Sequence, residues 1–352
     1  MDSAVTTSSD APQAAVRAFD PIEIRRRYAS AFRPNPWIYW SDLLVSAGIG
    51  WGAFAMALAA PFASLGYFGW LGVSIVALLR AALFIHELTH LRPGALPGFE
   101  AGWHLLAGLP LMLPSLMYVG SHNDHHKKNV FGTRHDPEYA PIARWSRLRL
   151  VRFVLEVALV PLALPLRWGV LAPLSYLIPA LRKPVVERLS TLFINADYRR
   201  PMPRGTQARR WAIQEAAACV LFWVVAGLLW QGVLPLTLVV TWVLLTSGIL
   251  VINQIRTLAA HRYECDGREV DATAQLMDSI NLRGVPVLTA LIAPVGLRYH
   301  ALHHFLPTVP YHSLGTLHRR LLRELPSEAE YHRTEAGGIL AAVRELWERA
   351  PA

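Results

Sequence analysis

Residues 68–90, FGWLGVSIVALLRAALFIHELTH, join a long apolar segment directly to a pair of histidines. The apolar part, residues 68–85, approaches the roughly 20 residues that an α-helix needs to cross a bilayer. His86 and His90 follow at a spacing of four, which places both imidazoles on one face of a helix. Neutral imidazole is a favoured ligand of iron, copper, zinc and nickel. The stretch therefore predicts a membrane helix that ends in potential metal ligands.

Three further apolar blocks have a similar length, at residues 41–63, 211–230 and 234–255. Hydrophobic residues make up 53% of the 352-residue chain and charged residues only 17%, whereas a soluble domain carries roughly a quarter charged residues. These features predict an all-α integral membrane protein with four transmembrane helices in two hairpins. Residues 101–119 and 148–180 are also apolar, but their prolines, and the charges of the second stretch, favour interfacial or re-entrant segments.

The net charge of +9 is unevenly distributed along the chain. The short connections at residues 64–67 and 231–233 contain no charged residue, while Lys and Arg lie in the N-terminal segment, around the middle histidine groups and in the C-terminal tail. This is the positive-inside pattern. It predicts a multi-pass protein of the bacterial inner membrane with both termini and every histidine group in the cytoplasm. The charge then needs no nucleic acid as partner.

The chain divides into two regions. Residues 1–20, rich in Ser, Ala and Thr, predict a disordered leader, and residues 21–352 predict a single membrane domain. In that domain a cytoplasmic, histidine-rich helical cap and interfacial helices accompany the crossings. Cys219 and Cys265 belong to no CxxC pair, so the cysteines indicate neither a disulfide framework nor a zinc ribbon.

Nine of the fourteen histidines fall into four groups. The groups are His86 and His90; His122, His125 and His126; His261; and His300, His303 and His304. Nine ligands are too many for one ion, so the pattern indicates a two-metal site. Neighbouring residues on a helix point about 100° apart. We therefore expect the adjacent pairs, 125–126 and 303–304, to divide between the two metals.

The other five histidines, His104, His135, His312, His318 and His332, have no such grouping and are not expected to bind metal. The first cluster also matches HExxH, the zinc metalloprotease signature, in which His86 and His90 bind zinc and Glu87 is the general base. This alternative, an intramembrane protease, covers five residues and leaves the other clusters unexplained, because catalytic zinc takes only three protein ligands. A membrane scaffold without catalytic activity is a third alternative.

Together the clusters resemble the membrane fatty acid desaturase superfamily, whose members carry HxxxH, HxxHH and HxxHH boxes at residues equivalent to 86–90, 122–126 and 300–304. The resemblance runs from about residue 40 to residue 320. Its most specific part is residues 299–310, YHALHHFLPTVP, which resembles the family's HxxHHxxPxxP ending. Relatives place one further histidine at the cytoplasmic end of the last membrane helix, the position of His261.

The resemblance implies a di-iron centre held by all nine grouped histidines, with O2 as co-substrate. The expected reaction is desaturation of a fatty acyl chain taken from the membrane. The alternative within the superfamily is a lipid or alkane hydroxylase or ketolase. The haem motif of a fused cytochrome b5 domain is missing, and no fused flavin is expected. Electrons would come from a separate donor, such as a ferredoxin or a cytochrome with its reductase.

Metal-ligating histidines usually donate their second ring N–H to a carboxylate or carbonyl. The acids close to the clusters in sequence are Glu87, Asp124, Asp136, Glu138 and Glu264. Asn253 and Asn281 are candidates for a tenth ligand. Asn253 lies eight residues before His261, about 12 Å along a straight helix, so it would join the site only if that helix breaks.

Overall fold

The computed structural model describes residues 20–192 and 194–351. Of the predicted leader, residues 1–19 lie outside the described residues. The described chain is mostly helical, and its one sheet is a two-residue parallel pair that joins Asn281 to Glu335 and Leu282 to Ala336.

The chain begins with α1 (Pro21–Arg27), a 3-10 turn (Ala29–Phe32), α2 (Pro36–Ala59) and α3 (Leu65–Ala82). Helices α2 and α3 pack against one another as a hairpin. Asn35 starts α2 by accepting a hydrogen bond from the backbone N–H of Trp37 at 3.0 Å, and Pro36 occupies the first turn, where its missing N–H costs nothing. Arg80 on α3 pairs with Asp42 on α2 at 2.6 Å. This ion pair joins the two helices near the end that leads to the first histidine cluster.

The segment after this hairpin, residues 84–189, carries the first two histidine clusters. Its elements are α4 (Phe84–His90), α5 (Phe99–Trp103), a π-helical turn (His104–Gly108), 3-10 turns (Ser115–Met117 and Ile142–Arg144) and α6 (Ser121–His125). A bent run of helix follows: α7 (Arg147–Glu156), a 3-10 turn (Val157–Leu159), α8 (Val160–Leu166), a π-helical turn (Arg167–Leu171), α9 (Ala172–Leu177) and α10 (Pro179–Leu189). Pro165 lies inside α8, directly before the π-helical turn, and prolines and π-turns are usual sites of helix bending.

Two further long helices and a C-terminal cap, residues 259–351, complete the chain. They comprise α11 (Gly205–Trp230), α12 (Leu236–Leu258), α13 (Ala272–Asp278), β1 (Asn281–Leu282), α14 (Pro286–Ile292), α15 (His300–Phe305), α16 (Tyr311–Glu324), a 3-10 turn (Glu330–Thr334), β2 (Glu335–Ala336) and α17 (Ile339–Arg349). The cap has its own core, in which Ile24 and Tyr28 from the N-terminal segment pack with Leu302 and the buried leucines of α16. Residues 21–32 thus pack against the C-terminal cap.

Five helices among the described residues are long and apolar enough to cross a membrane, one more than the sequence predicted. They are Pro36–Ala59, Leu65–His90, Arg147–Leu177, Gly205–Trp230 and Leu236–Leu258. The additional candidate is Arg147–Leu177, which we expected to be interfacial. Its charges at Arg147, Arg149, Arg152 and Glu156 lie near one end. The remainder is apolar except for Arg167, which pairs with Glu215 of the helix Gly205–Trp230 at 2.7 Å. The architecture is that of a helical membrane protein.

The close approach of α2 and α3 provides a test of this packing. A methyl group added at Gly50 would overlap Leu78 Cγ and lie 3.2 Å from the Leu78 backbone nitrogen, and the Ser74 hydroxyl donates to the Gly50 carbonyl at 2.8 Å. We expect Gly50→Ala to cost about 1–3 kcal/mol of stability, as overpacking usually does. Thermal unfolding in detergent, followed by circular dichroism, measures this change.

Gly52→Ala is the matched control, since a methyl group there has nothing within 4 Å. That variant should unfold at the wild-type temperature or slightly above, because Ala favours helix over Gly. Equal destabilisation of both variants would contradict the packing described for this hairpin.

Candidate metal centre

The structure brings the nine grouped histidines into two adjacent sets. In the first set, ring nitrogens of His86, His90, His122 and His303 lie within 4.8 Å of one another. In the second set, the same holds for His125, His261, His300 and His304. The side chains come from α4, from α6, from the loop after α12 and from α15, so the centre depends on four segments far apart in sequence.

His126 belongs with the first set. Its Nε2 lies 3.1 Å from Nε2 of His122 and 3.1 Å from Nε2 of His303. Its ring also stacks on that of His304, in the second set, at 4.3 Å between centroids. The sets therefore contain five and four histidines and touch one another. The adjacent residues His125 and His126 point into different sets, as helix geometry predicts, and so do His303 and His304.

The ring nitrogens lie close enough together to share a metal ion. Nε2 of His300 lies 3.0 Å from Nε2 of His261 and 3.1 Å from Nε2 of His304. Both ring nitrogens of His86 and Nε2 of His90 are buried without a hydrogen-bond partner among the described residues. Buried polar atoms are rarely left unpaired. Converging, buried imidazole nitrogens are a donor set that could hold a cation.

Carboxylates on the outside of the centre orient the rings. Asp136 lies 2.8 Å from Nδ1 of His125, and Glu138 lies 2.8 Å from Nδ1 of His122. Such contacts hold the proton on Nδ1, so that the lone pair of Nε2 faces the interior. Burial raises the pKa of Glu138 to about 7.

Burial also keeps most of the rings neutral, which is the form that binds metal. Desolvation, and then repulsion by neighbouring histidines, holds the pKa of five rings well below the usual range: His122, His126, His300, His303 and His304. His125 differs. Burial opposes its positive charge, but the adjacent Asp136 carboxylate outweighs burial and raises the pKa of His125.

The remaining predicted acids have other partners. Asp124 pairs with Lys127 at 2.6 Å, and Glu264 pairs with Arg349 at 2.7 Å, both on the surface. Glu87 is buried, but its carboxylate accepts hydrogen bonds from the Tyr39 hydroxyl and, at 3.1 Å, from the Tyr311 backbone N–H. Glu87 therefore holds α4 against α2 and α16. This role disfavours the metalloprotease alternative, in which Glu87 would activate a zinc-bound water.

Four residues around the centre were missed at the sequence level. The Tyr118 hydroxyl lies 2.9 Å from Nδ1 of His122, and the Ser279 hydroxyl lies 3.3 Å from Nδ1 of His261. Asp278 Oδ2 lies 3.3 Å from Nδ1 of His261, and Gln275 Nε2 lies 3.2 Å from Nδ1 of His304. Both are on α13, which packs against α15. Neither lies within a histidine cluster in the sequence, and only the packing of α13 brings them near the rings.

Within the described chain, neither candidate for a tenth ligand forms a hydrogen bond with a histidine of either set. Helix α12 runs unbroken to Leu258, so the break that Asn253 would need is absent from it. The side-chain oxygen of Asn253 instead accepts a hydrogen bond from Nε of Arg256 at 3.0 Å. Asn281 accepts from the Leu302 backbone N–H at 3.1 Å and donates to the Thr334 hydroxyl at 2.8 Å. It anchors the helix of the third box.

The five histidines excluded at the sequence level fall outside both sets. His104 accepts a hydrogen bond from the Ser115 backbone N–H at 3.2 Å, and His312 accepts one from the Asn35 backbone N–H at 3.1 Å. His318 lies 2.7 Å from the Tyr331 hydroxyl. His135 is exposed and His332 is half-buried. These positions agree with structural or surface roles.

Two cavities reach the first histidine set from different sides. A cavity of about 580 Å³ includes His86 in a mainly apolar wall formed by α8, α12 and neighbouring segments. A cleft of about 340 Å³ includes His90 and is lined by Arg25, Arg33 and Arg92. The first is within the size range of sites that bury a small ligand. The centre thus faces an apolar compartment on one side and a basic surface cleft on the other.

Comparison with known proteins identifies the family of the chain. The chain is 44% identical over 316 residues to the ceramide hydroxylase of Caulobacter vibrioides (strain NA1000 / CB15N), covering 90% of both chains. No solved structure is significantly similar to it. Residues 63–335, which contain all nine grouped histidines, match the sequence description of fatty acid desaturases. The chain therefore belongs to the fatty acid desaturase family and is an oxidoreductase that acts on lipids.

Proposed function

We propose that this protein is an O2-dependent, di-iron hydroxylase of a ceramide-type lipid. The observation that carries the proposal is the 44% identity, over 90% of both chains, to a ceramide hydroxylase. It favours the hydroxylase alternative over the desaturation that we first expected, since the histidine boxes are shared by both reactions. The balanced reaction converts a C–H bond, O2, two electrons and two protons into an alcohol and water.

The two histidine sets would each hold one iron ion, with the ligands His86, His90, His122, His126 and His303 in the first and His125, His261, His300 and His304 in the second. Imidazole ligands suit iron. Bound iron would supply the activation of O2 that oxidation of an unactivated C–H bond requires. Asp136 and Glu138 keep the Nδ1 protons of His125 and His122 in place. The apolar cavity beside His86 would exclude water and hold the lipid chain.

The position of the centre limits the topology. His126 and His261 lie at the same centre, so the chain between them must cross the membrane an even number of times. Three candidate crossings lie in that interval: Arg147–Leu177, Gly205–Trp230 and Leu236–Leu258. The last two are joined by only five residues, 231–235, and must therefore cross as a pair. We propose that Arg147–Leu177, which bends at its prolines and π-turn, does not cross, which leaves four crossings.

This topology puts the termini and the metal centre on one side of the membrane. The arginines of α1 and the basic residues around the middle histidine groups lie on that side, whereas the Gln231–Val233 turn on the other side is uncharged. By the positive-inside rule the metal side is cytoplasmic, in a bacterial inner membrane.

We further propose that a separate, acidic redox protein supplies the electrons at the basic cleft. Arg25, Arg33 and Arg92 line this cleft, and none of them forms an ion pair with an acid in the described chain. His90, in the wall of the cleft, is one of the two least buried histidines of the centre. Complementary charge would orient an acidic ferredoxin or cytochrome over that edge.

Removal of a single ligand tests the metal centre. His125→Ala should lose bound iron, because the variant removes a buried ligand whose second nitrogen is held by Asp136. The protein purified from iron-supplemented cells should contain two irons per chain in the wild type and fewer in the variant, measured by elemental analysis. His135→Ala is the control, since His135 is exposed and outside both sets. Zinc in place of iron, or equal loss in both variants, would refute the proposal.

The reaction itself is tested by expression in a host that is supplied with ceramide. Mass spectrometry of the extracted lipids should show a ceramide heavier by one oxygen atom, and the product should be absent with a His303→Ala variant. A ceramide lighter by two hydrogen atoms would instead support desaturation. Iron-loaded protein that changes no ceramide would contradict the proposed substrate.

Charge reversal tests the electron-donor surface. At low salt, Arg33→Glu and Arg92→Glu should slow turnover supported by an acidic [2Fe–2S] ferredoxin by about tenfold, because favourable charge at an interface mainly accelerates association. Turnover supported by dithionite should stay unchanged. Arg319→Glu, an exposed arginine outside the cleft, is the matched control. An equal loss of ferredoxin-supported turnover in Arg319→Glu would refute the assignment of this cleft as the surface that binds the electron donor.

A further inference from the structure

The cavity beside His86 is not uniformly apolar. Much of its wall is formed by aliphatic side chains, such as Val160, Leu164 and Leu250. The same cavity contains a polar group, Asn253, Gln254 and Arg256, on the last two turns of α12. Polar side chains within an apolar membrane helix are expensive and commonly mark functional sites. These three side chains in the cavity wall therefore indicate a ligand that forms hydrogen bonds with them.

Several hydrogen-bond donors and acceptors of these three residues are unused within the described chain. Nε of Arg256 donates a hydrogen bond to the side-chain oxygen of Asn253, and Nη2 of Arg256 donates to the Thr257 hydroxyl at 3.2 Å. Within the described chain, the Asn253 amide nitrogen, the Gln254 side chain and Nη1 of Arg256 make no hydrogen bond. All three residues are half-buried and line the cavity. They offer two amides and a guanidinium N–H to a ligand.

These groups lie at the metal end of the cavity. Its wall also includes His86 together with Tyr118 and Glu138, and the latter two contact the Nδ1 atom of His122. Arg256 lines the same cavity as Glu138 and His86, and it lies five residues before His261. A ligand group bound by Asn253, Gln254 and Arg256 would consequently lie beside the first histidine set.

We propose, resting on the proposed function, that Asn253, Gln254 and Arg256 bind the amide end of the lipid substrate. The amide carbonyl and neighbouring hydroxyls of a ceramide accept and donate hydrogen bonds of the kind these residues leave open. The hydrocarbon chain then extends along Val160, Leu164 and Leu250. It follows that the enzyme hydroxylates a carbon close to the amide.

The opposite orientation makes a different prediction. Arg188, which is exposed, also lines the cavity. If the polar end of the lipid stayed at Arg188, the hydrocarbon would point toward His86, and oxidation would fall far along the chain. Arg167, another cationic residue of the wall, already donates to Glu215 at 2.7 Å and to the Leu189 carbonyl at 2.8 Å. The position of the new hydroxyl therefore separates the two orientations.

Fragmentation mass spectrometry of the product locates this hydroxyl. With purified protein, ceramide in mixed micelles and a source of electrons, we expect the hydroxyl in the half of the chain nearest the amide. A hydroxyl in the distal half would overturn the inference and leave the hydroxylase function standing. Absence of any oxygenated lipid would instead count against the proposed function.

A binding measurement tests the polar group without turnover. In the absence of reductant, Asn253→Leu and Gln254→Leu should each weaken binding of a fluorescent short-chain ceramide by about tenfold, the effect of losing one hydrogen bond. They should not weaken binding of an analogue whose amide is replaced by methylene groups. Thermal unfolding of each variant establishes that it is folded.

Gln231→Leu is the matched control, because Gln231 is exposed at the far end of α11 and outside the cavity. Its binding of both lipids should equal that of the wild type. Wild-type affinity for ceramide in both Asn253→Leu and Gln254→Leu, or the same loss for the amide-free analogue, would overturn the assignment. Because binding needs no turnover, this outcome is distinct from failure of the proposed reaction.

Discussion

The convergence of imidazole nitrogens is the constraint on which the rest of the structure depends. Nine histidines bring their rings together, with Nε2 atoms as close as 3.0 Å, and the carboxylates of Asp136 and Glu138 hold protons on the outer nitrogens of two of them. Lone pairs that face one another in a buried site repel unless a cation lies between them. The surrounding helices hold this unfavourable arrangement in place, which fits a protein whose native state contains metal.

The helices reach this centre from the membrane and from the cap. Helix α3 continues into the first histidine cluster, α12 ends three residues before His261, and the cap carries the third box on α15. The centre then has two approaches of opposite character. The apolar cavity at His86 suits a lipid, and the arginine-lined cleft at His90 suits an acidic protein. Lipid and electrons would reach the same metals without competing for one path.

Local spacing explains how much of this could be predicted. The HxxxH and two HxxHH clusters supplied eight of the nine histidines, and the family resemblance supplied His261. The angle between adjacent helical residues predicted the separation of 125 from 126 and of 303 from 304 that the structure shows. Contacts between distant segments could not be read in this way. Asp278 and Gln275 reach the rings only because α13 packs on α15, and apolar length alone does not distinguish a crossing from the bent helix Arg147–Leu177. The histidine pattern also does not distinguish desaturation, which gives an alkene, from hydroxylation, which gives an alcohol. The preference for hydroxylation comes from the similarity to a ceramide hydroxylase.

The central claim is that two metals are divided between a set of five and a set of four histidines. Diffraction from crystals of the iron-loaded protein, recorded on both sides of the iron absorption edge, tests it most directly. We expect two anomalous peaks, one among His86, His90, His122, His126 and His303 and the other among His125, His261, His300 and His304. A single peak, or a zinc signal at His86 and His90 alone, would contradict it.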